Sequence, residues 1–308
     1  MTSLSPSTSD NRLGIWLALL ALYLVWGSTY LANPVALETL SPFPLLAFRF
    51  LVAGSLLYGV LRLRGVPHPT RAEWRGAGIT GILLLNFGLG MVVYAQQWVA
   101  SSLAAVIVAT MPLWLALFTR LFGARTGLGE VFGMLLGLAG VALLNGEQDL
   151  RAHPGALLVF VGPVAWAFGS AYSRKLTQPK GLMASAVQML AAGVVFVPLA
   201  LFQGDLLPKT PSAASLLALV YLIFFGSIVA YSAYLYLLEQ RVSPALTTSY
   251  AYVNPVVAVL LGVGLAGETV SSRGYFGMGV ILAGVVLVVT LRAWQGKRNV
   301  AANNSGGV

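Results

Sequence analysis

The chain is built from long apolar runs that are separated by short polar breaks. Each run approaches the roughly 20 residues that a helix needs to cross a hydrocarbon core of about 30 Å. Of the 308 residues, 58% are hydrophobic and 9% are charged, which excludes a soluble globular domain. The sequence therefore predicts an all-α integral membrane protein with ten transmembrane helices. The predicted spans are 13–32, 44–61, 76–96, 103–122, 128–144, 155–172, 182–202, 213–238, 244–266 and 274–294.

Polar segments flank the predicted spans at both ends of the chain. Residues 1–12 are rich in Ser and Thr, and residues 295–308 are basic and rich in Gly and Asn. Segments of this composition bury too little apolar surface to fold alone, so both are predicted to be disordered tails. Between them, the spans divide into a first five-helix unit at 13–145 and a second at 154–294.

The two halves of the chain repeat each other in sequence. The stretch WGSTY at Trp26–Tyr30 recurs as FGSAY at Phe168–Tyr172, and FLVAG at 50–54 recurs as MLAAG at 189–193. Each half has five spans, an odd number, so the second half must cross the membrane in the opposite direction. The sequence therefore predicts two inverted five-helix repeats, an arrangement that supports alternating access through a shared cavity.

Each half carries one proline near the middle of its fourth predicted span, Pro112 in the first half and Pro255 in the second. Proline removes a helical hydrogen bond and bends the helix, which membrane proteins tolerate where a neighbour or a cavity satisfies the freed carbonyl. A packing kink without a functional role is the alternative for either proline alone. The pairing at matching places favours two bent helices beside a shared pathway.

The fifth span of each half has a glycine-rich face. GMLLGLAGVALL at 133–144 recurs as GMGVILAGVVLV at 277–288. Small residues on one face of a helix let another helix approach closely in lipid. We predict packing within the chain at these faces, with a homodimer contact as the alternative. A monomer is accordingly expected, and a homodimer is the other possibility.

Positively charged side chains are distributed unevenly over the predicted loops. Fourteen of the 18 Lys and Arg residues fall on one side of the spans and three on the other, with Arg49 inside a span. Because Lys and Arg concentrate on the cytoplasmic side of membrane proteins, both termini are predicted to be cytoplasmic. The same distribution accounts for the net charge of +9 without a nucleic-acid partner.

These motifs resemble the EamA branch of the drug/metabolite transporter superfamily over residues 13–292, and are most similar to its YddG-type bacterial amino-acid exporters. The resemblance rests on the WGS and FGS stretches, the prolines of the fourth spans and LAG in the fifth. It implies a multi-pass protein of the bacterial inner (plasma) membrane that exports amino acids or similar small metabolites, with the solute and membrane lipid as partners. The family's Gly-Glu after the fourth span is present as Gly267-Glu268, whereas the first half has Gly123-Ala124.

Polar and aromatic side chains at membrane depth are the candidate solute-binding residues. An amide or hydroxyl there is costly unless it has a partner, and aromatic faces suit an ammonium group or an aromatic solute. For a lone Tyr or Trp near a span end, the interfacial belt is the alternative. The first helix contributes Trp26 and Tyr30 to the predicted cavity. The main candidates are Asn86, Tyr94, Trp114, Trp166, Ser170, Tyr231, Tyr234, Tyr250 and Asn254.

Charged groups are nearly absent from the predicted spans. No Asp or Glu lies deep in a span, and Arg49 is the only basic residue clearly inside one. This pattern argues against phosphorylated solutes, which need several cations, and against a buried carboxylate that relays protons. A neutral or zwitterionic solute and facilitated diffusion are favoured, with proton coupling through a span-end glutamate as the alternative. Arg49 is predicted to snorkel to the outer surface or to form an ion pair with Glu38, with anchoring of an amino-acid carboxylate as the functional alternative.

Enzyme chemistry finds little support in the sequence. There is no cysteine, the histidines His68 and His153 fall in loops on opposite sides, and no GxxxxGK[ST] phosphate loop is present. No cofactor and no metal are expected. A membrane-embedded transferase or lipid-processing enzyme is the non-transporter alternative. Among transporters, the alternative is a carrier of a different small metabolite or drug.

Overall fold

A computed structural model describes residues 8–97, 107–123, 127–145, 154–203, 210–266 and 271–305. Over these residues the backbone is helical apart from short turns and connections, and no strand occurs among them. The fold is therefore all-helical wherever it is described. The Gly267-Glu268 pair, Ala124 and the outer ends of the two predicted tails, 1–7 and 306–308, lie outside the described residues.

The helical segments follow one another along the chain with short connections. Those of the first half are α1 (Thr8–Ala21), π1 (Leu22–Trp26), α2 (Gly27–Leu37), α3 (Pro42–Leu63), α4 (Arg71–Gly81), π2 (Ile82–Gly90), α5 (Met91–Ala95), α6 (Met111–Leu121) and α7 (Leu128–Asn145). Those of the second half are α8 (Pro154–Ser173), α9 (Leu182–Phe202), α10 (Ala213–Tyr221), π3 (Leu222–Val229), α11 (Ala230–Glu239), α12 (Pro244–Thr247), α13 (Tyr250–Ala266) and α14 (Ser272–Ser305).

Several of these stretches are suited to a membrane by length and composition. Within the described chain, six helical stretches are long and apolar enough to cross a membrane: Arg12–Leu37, Pro42–Leu63, Arg71–Ala95, Leu182–Phe202, Ala213–Glu239 and Pro244–Leu261. Shorter apolar helices are Met111–Leu121, Val131–Leu143, Leu158–Ser173 and Ser272–Leu287. The predicted total of ten spans therefore stays a prediction. Helix α1 begins at Thr8 and α14 continues to Ser305, so helix extends into both segments predicted as tails.

Three of the long stretches contain a π-helical segment that the sequence did not predict. Segment π1 joins α1 to α2, π2 joins α4 to α5, and π3 joins α10 to α11. In a π-helix each hydrogen bond spans five residues instead of four, which widens the turn. Side chains beyond such a segment therefore point to a different face from the one that a 3.6-residue period predicts.

Helices α3 and α9 approach each other closely at a pair of glycines. A Cβ atom at Gly54 would lie 2.8 Å from the backbone nitrogen of Leu190, and one at Gly193 would lie 2.9 Å from that of Leu51. No larger residue fits at either position without moving a backbone. The two helices, one from each half, are thus in direct backbone contact.

The glycine-rich faces of α7 and α14 pack against each other within the chain. A Cβ atom at Gly140 would lie 2.7 Å from the backbone nitrogen of Ile281, and one at Gly284 would lie 2.8 Å from that of Gly137. Absence of side chains allows this approach, as in other membrane helix pairs. These faces therefore join the fifth spans of the two halves.

Candidate functional site

A central cavity lies between helices of both halves. It encloses about 860 Å³ of empty space, its open mouth included. Among the described residues that line it, Arg49 is the one charged side chain and most of the rest are apolar or aromatic. A concave, mostly apolar space with a few placed polar groups is the usual form of a small-molecule site. The lining residues with a polar or aromatic side chain are Trp26, Thr29, Tyr30, Asn33, Arg49, Phe50, Gln96, Trp166, Tyr231, Tyr250 and Asn254.

Five packed rings, four of which line the cavity, form a layer that we call the aromatic floor: Trp26, Trp166, Tyr231, Tyr234 and Tyr250. The ring centroid of Trp26 lies 5.6 Å from that of Trp166 and 4.7 Å from that of Tyr250. The Tyr234 centroid lies 5.3 Å from Trp166 and 5.9 Å from Tyr250. Tilted and edge-to-face pairs at these separations are favourable for aromatic rings. The floor is therefore a cohesive layer with rings from α8, α11, α13 and π1.

Side-chain hydrogen bonds hold the floor to the helices behind it. The hydroxyls of Ser170 and Tyr234 share a hydrogen bond of 2.7 Å between α8 and α11. The Tyr231 hydroxyl donates to Oε1 of Gln188 on α9. Gln188 in turn lines a groove at the other end of the bundle. The floor thus separates the central cavity from that groove by little more than one layer of side chains.

Arg49 places a charge on the wall of the cavity. It is 3% exposed, and its Nε donates a hydrogen bond of 2.7 Å to Oγ of Ser227 in π3. A Cβ atom at Gly226 would lie 2.8 Å from Nη2, so the missing side chain there makes room for the guanidinium. A buried arginine within a membrane helix is costly, which makes Arg49 a candidate functional residue. Glu38, its predicted ion-pair partner, is exposed after α2, so that ion pair stays a prediction.

Carbonyl groups of two π segments accept hydrogen bonds from cavity side chains. The Trp26 indole donates to the Gly226 carbonyl in π3 at 3.0 Å. With its amide oriented to satisfy both atoms, Asn254 donates to the Leu22 carbonyl in π1 at 3.3 Å and to the Tyr250 carbonyl at 3.1 Å. Buried backbone groups need partners, and π-helical turns recur at functional sites. The segments that shape the cavity therefore also fix its polar side chains.

The cavity opens toward the connection between α2 and α3. Gln96 lines both the cavity and an adjoining depression that is formed by residues 34, 37–42 and 96–97. The described lining of this depression includes Glu38 and no Lys or Arg. The groove behind the floor is instead lined by Arg174, Lys180 and Arg241. By the distribution of positive charge, the open end is the predicted external end of the protein.

Comparison with known families identifies both halves of the chain. The EamA-like transporter family matches residues 12–146 and again residues 153–290. The chain belongs to this EamA-like transporter family. It is 49% identical over 273 residues to the uncharacterized inner membrane transporter YedA of Escherichia coli K12, across 88% of this chain and 89% of that protein. It is 24% identical over 285 residues to an uncharacterized transporter of Archaeoglobus fulgidus, across 90% of this chain and 99% of the relative.

A solved crystal structure shares the fold of this EamA-like protein, with a TM-score of 0.76 over 92% of this chain and 99% of the other at 23% identity. The family and the two relatives are named as transporters, in agreement with the transporter prediction. Within the described residues, no group of three or more His, Asp or Glu side chains is arranged to hold a metal ion.

Six of the predicted solute-binding residues of this EamA-like transporter meet at the cavity or its floor. Four of them, Trp166, Tyr231, Tyr250 and Asn254, line the cavity directly. Ser170 and Tyr234 lie behind this surface, where they bond to each other. The aromatic candidates named from the sequence thus come together at the floor, and their role in solute binding stays a prediction.

The other three predicted residues, Asn86, Tyr94 and Trp114, are not part of the described cavity lining. Asn86 donates to the Ala192 carbonyl of α9 at 3.1 Å. The Tyr94 ring stacks on Phe43 with centroids 4.7 Å apart, and the Trp114 indole donates to Oγ1 of Thr110 in the turn before its helix. The widened turns of π2 contain Asn86 and precede Tyr94, so the helical face predicted for this span does not apply. Each of the three has a partner inside the protein.

The two prolines follow interruptions in their helices. Pro112 is the second residue of α6, after a turn at 109–110, and Pro255 lies within α13, which begins after a turn at 248–249. The residues just before them, Met111 and Asn254, both line the cavity. Each half thus has a break a few residues before its proline, and a residue next to each proline borders the cavity. A role of the prolines in bending the helices stays a prediction.

Asn33 and Gln96 line the cavity although they were not predicted to bind solute. Asn33 follows Tyr30 by three residues and Trp26 by seven, so the helical period of the first span was an available signal. The Oδ1 atom of Asn33 is buried and has no hydrogen-bond partner. Gln96 lies at the end of a predicted span, where polar residues are common, so the sequence offered no comparable signal.

Proposed function

We propose that this protein exports amino acids, aromatic or other neutral ones, or similar small metabolites across the bacterial inner membrane by alternating access. The observation that carries the proposal is the cavity wall, which combines the buried cation of Arg49 with the ring faces of Trp26, Trp166 and Tyr250. A single cation balances one carboxylate. Several phosphate charges would require more cations than this wall supplies.

A zwitterion fits the polar groups of this cavity. Its carboxylate pairs with the Arg49 guanidinium, whose Nε is already held by Ser227. Its ammonium group is matched by the unpartnered Oδ1 of Asn33 and by the aromatic ring faces. An aromatic or apolar side chain of the solute packs against Phe50 and the apolar lining. Recognition in this form needs no cofactor and no buried carboxylate.

Reciprocal contacts support the proposed inverted repeat of ten helices. In the repeated stretches FLVAG and MLAAG, Gly54 corresponds to Gly193 and Leu51 to Leu190. Gly54 packs against the backbone of Leu190, and Gly193 packs against the backbone of Leu51. A two-fold axis between two halves requires such exchanged contacts. The contact between α7 and α14 is exchanged in the same way, and a two-fold axis in the membrane plane makes an outward-open and an inward-open state closely related.

The transport proposal is tested with purified protein in liposomes and radiolabelled L-phenylalanine and L-threonine, one aromatic solute and one small neutral one. We expect saturable flux of at least one of them. Trp166→Ala removes a floor ring and is expected to raise the KM about tenfold. Trp16→Ala, at a Trp that is 52% exposed, is the matched control and should keep the wild-type KM. Equal KM values for the two variants would contradict the proposed site.

The proposed orientation is tested with single cysteines, since the chain has none of its own. Gln97→Cys and Lys175→Cys introduce exposed thiols at opposite ends of the bundle. In intact cells, a membrane-impermeant maleimide should label Gln97→Cys and leave Lys175→Cys unlabelled until the membrane is opened. Labelling of Lys175→Cys in intact cells would reverse the orientation.

A further inference from the structure

A second concave site lies behind the aromatic floor, at the end of the bundle predicted to be cytoplasmic. We call it the basic groove, because Arg174, Lys180 and Arg241 line it together with Glu239 and Gln188. It encloses about 810 Å³ of empty space, its mouth included. The groove is therefore large enough for a small solute and carries three cations against one carboxylate.

The backbone at Arg241 has a conformation that normally favours glycine. Arg241 has a φ of 53°, in the left-handed region, and follows the C-terminus of α11. Its N–H bonds to the Leu238 carbonyl at 3.1 Å, while the N–H of Val242 bonds to the Leu237 carbonyl at 3.1 Å. This helix-ending motif strongly prefers glycine, because any Cβ is strained at positive φ.

The same chain uses glycine for this motif elsewhere. Gly65, with a φ of 80°, ends α3 through a bond of 3.0 Å to the Arg62 carbonyl, and Gly123, with a φ of 93°, ends α6 through a bond of 3.0 Å to the Arg120 carbonyl. Among the described residues, Arg241 is the one position other than glycine with positive φ. An arginine here therefore carries a conformational cost that glycine would avoid.

Arg174 and Arg241 line the same groove. The pKa of the Arg174 guanidinium is lowered, mainly by partial burial; the interaction with Tyr234 raises it, and the positive charge of Arg241 lowers it by a smaller amount. Two like charges held together in a concave site repel each other unless an anion lies between them. The pair of arginines is thus suited to a carboxylate or a phosphate group.

A chain of side-chain hydrogen bonds links the groove to the central cavity. Gln178, which lines the groove, accepts a hydrogen bond of 2.6 Å from Nε2 of Gln188. Oε1 of Gln188 accepts from the Tyr231 hydroxyl, and the Tyr231 side chain lines the central cavity. Within the described residues, the contact between Tyr231 and Gln188 joins the lining of one space directly to that of the other. The groove is therefore the inner approach to the same pathway.

We propose that Arg174 and Arg241 form a loading site that binds the carboxylate of the solute before the aromatic floor opens. This inference rests on the proposed transport function and names the inner end of its pathway. Glu239 lines the same groove. Its carboxylate attracts the ammonium group of a zwitterion and repels the phosphate of an anionic lipid headgroup. The groove therefore matches an amino acid better than a lipid.

The test compares Arg241→Gly, Arg174→Gln and Lys175→Gln in liposomes with the groove facing the solution. Arg241→Gly relieves the strained backbone, so its unfolding temperature should equal or exceed that of the wild type. Lys175 is the matched control, because its Nζ lies over the Phe122 ring at 4.4 Å and is not part of the groove lining. We expect Arg241→Gly and Arg174→Gln to raise the KM for L-phenylalanine or L-threonine at the groove face about tenfold. Lys175→Gln should leave it unchanged.

A wild-type KM in Arg241→Gly would overturn the loading site while leaving the transport proposal intact. A loss of flux in Arg241→Gly that depends on phosphatidylglycerol in the vesicles would also overturn the loading site, since it would identify a lipid site.

A binding readout that needs no flux separates the two proposals further. The same amino acids should protect Arg174 from modification by phenylglyoxal, as mapped by mass spectrometry. Protection without flux would support the groove and contradict transport, and neither protection nor flux would overturn both.

Discussion

The Tyr231 hydroxyl on the central cavity donates a hydrogen bond to Gln188, whose side chain lines the groove at the opposite end of the bundle. One side-chain contact between α11 and α9 therefore spans the barrier between the two spaces. In an alternating-access cycle this contact must break each time the inner side opens. Under the proposed alternating access, we expect this contact to stabilise the outward-open state.

Replacement of Tyr231 by Phe tests this role. It leaves Oε1 of Gln188 without its donor in a side chain that is 1% exposed, which costs about 1–3 kcal/mol. The outward-open state should become less populated. A single cysteine on the cavity wall, Val108→Cys, should then react more slowly with a membrane-impermeant maleimide added outside. Tyr275→Phe, at a ring that is 54% exposed, is the control, and equal labelling rates in the two backgrounds would contradict this assignment.

Arg49→Gln tests the proposed carboxylate anchor. Loss of a charge-assisted hydrogen bond costs about 1.5–3 kcal/mol, so the KM for L-phenylalanine in liposomes should rise at least about tenfold. Ser227→Ala removes the partner of Nε and keeps the charge, so its KM should lie between those of the wild type and Arg49→Gln. The unfolding temperature of each variant shows whether the fold is intact. A wild-type KM in a folded Arg49→Gln would exclude Arg49 as the anchor.

Asn254→Ala tests whether the amide stabilises the π1 segment. The change leaves the carbonyls of Leu22 and Tyr250 without this donor, so we expect a loss of about 1–3 kcal/mol in the free energy of unfolding. Unfolding in detergent is the measurement. Thr290→Val is the control, because the Thr290 hydroxyl is exposed and bonds within its own helix. Similar unfolding free energies for both variants would remove Asn254 from the contacts that hold π1.

Gly284→Ala and Gly279→Ala form a matched pair on α14. A Cβ atom at Gly284 would lie 2.8 Å from the backbone nitrogen of Gly137 and 3.0 Å from the Gly133 carbonyl, so overpacking should cost about 1–3 kcal/mol of unfolding free energy. Nothing lies within 4 Å of a Cβ atom at Gly279, where alanine should be neutral or stabilising. Thermal unfolding in detergent measures both. A Gly284→Ala protein as stable as Gly279→Ala would argue against the tight contact between α7 and α14.

Sequence reasoning named five of the six aromatic residues that line the cavity, and it also named Asn86, Tyr94 and Trp114, which do not line it. Trp166 and Tyr250 carried strong signals, since they are aromatic residues well inside apolar spans. Asn86 carried the same signal but lies in π2, where the helical period changes. Its amide points to the α9 backbone instead. No local pattern in this span marks the π-helix, because its residues are as apolar as those of an ordinary membrane helix.

The sequence by itself determined that this protein is helical and apolar enough for a membrane and that its halves repeat, because hydropathy and periodicity are local properties of the chain. Only the tertiary structure decided which side chains share a cavity. Arg49 and Ser227 lie 178 residues apart and meet because α3 packs beside π3. The strained backbone at Arg241 is likewise invisible in the sequence, since arginine is common after membrane helices. Such contacts depend on how helices of the two halves pack and on where their turns widen.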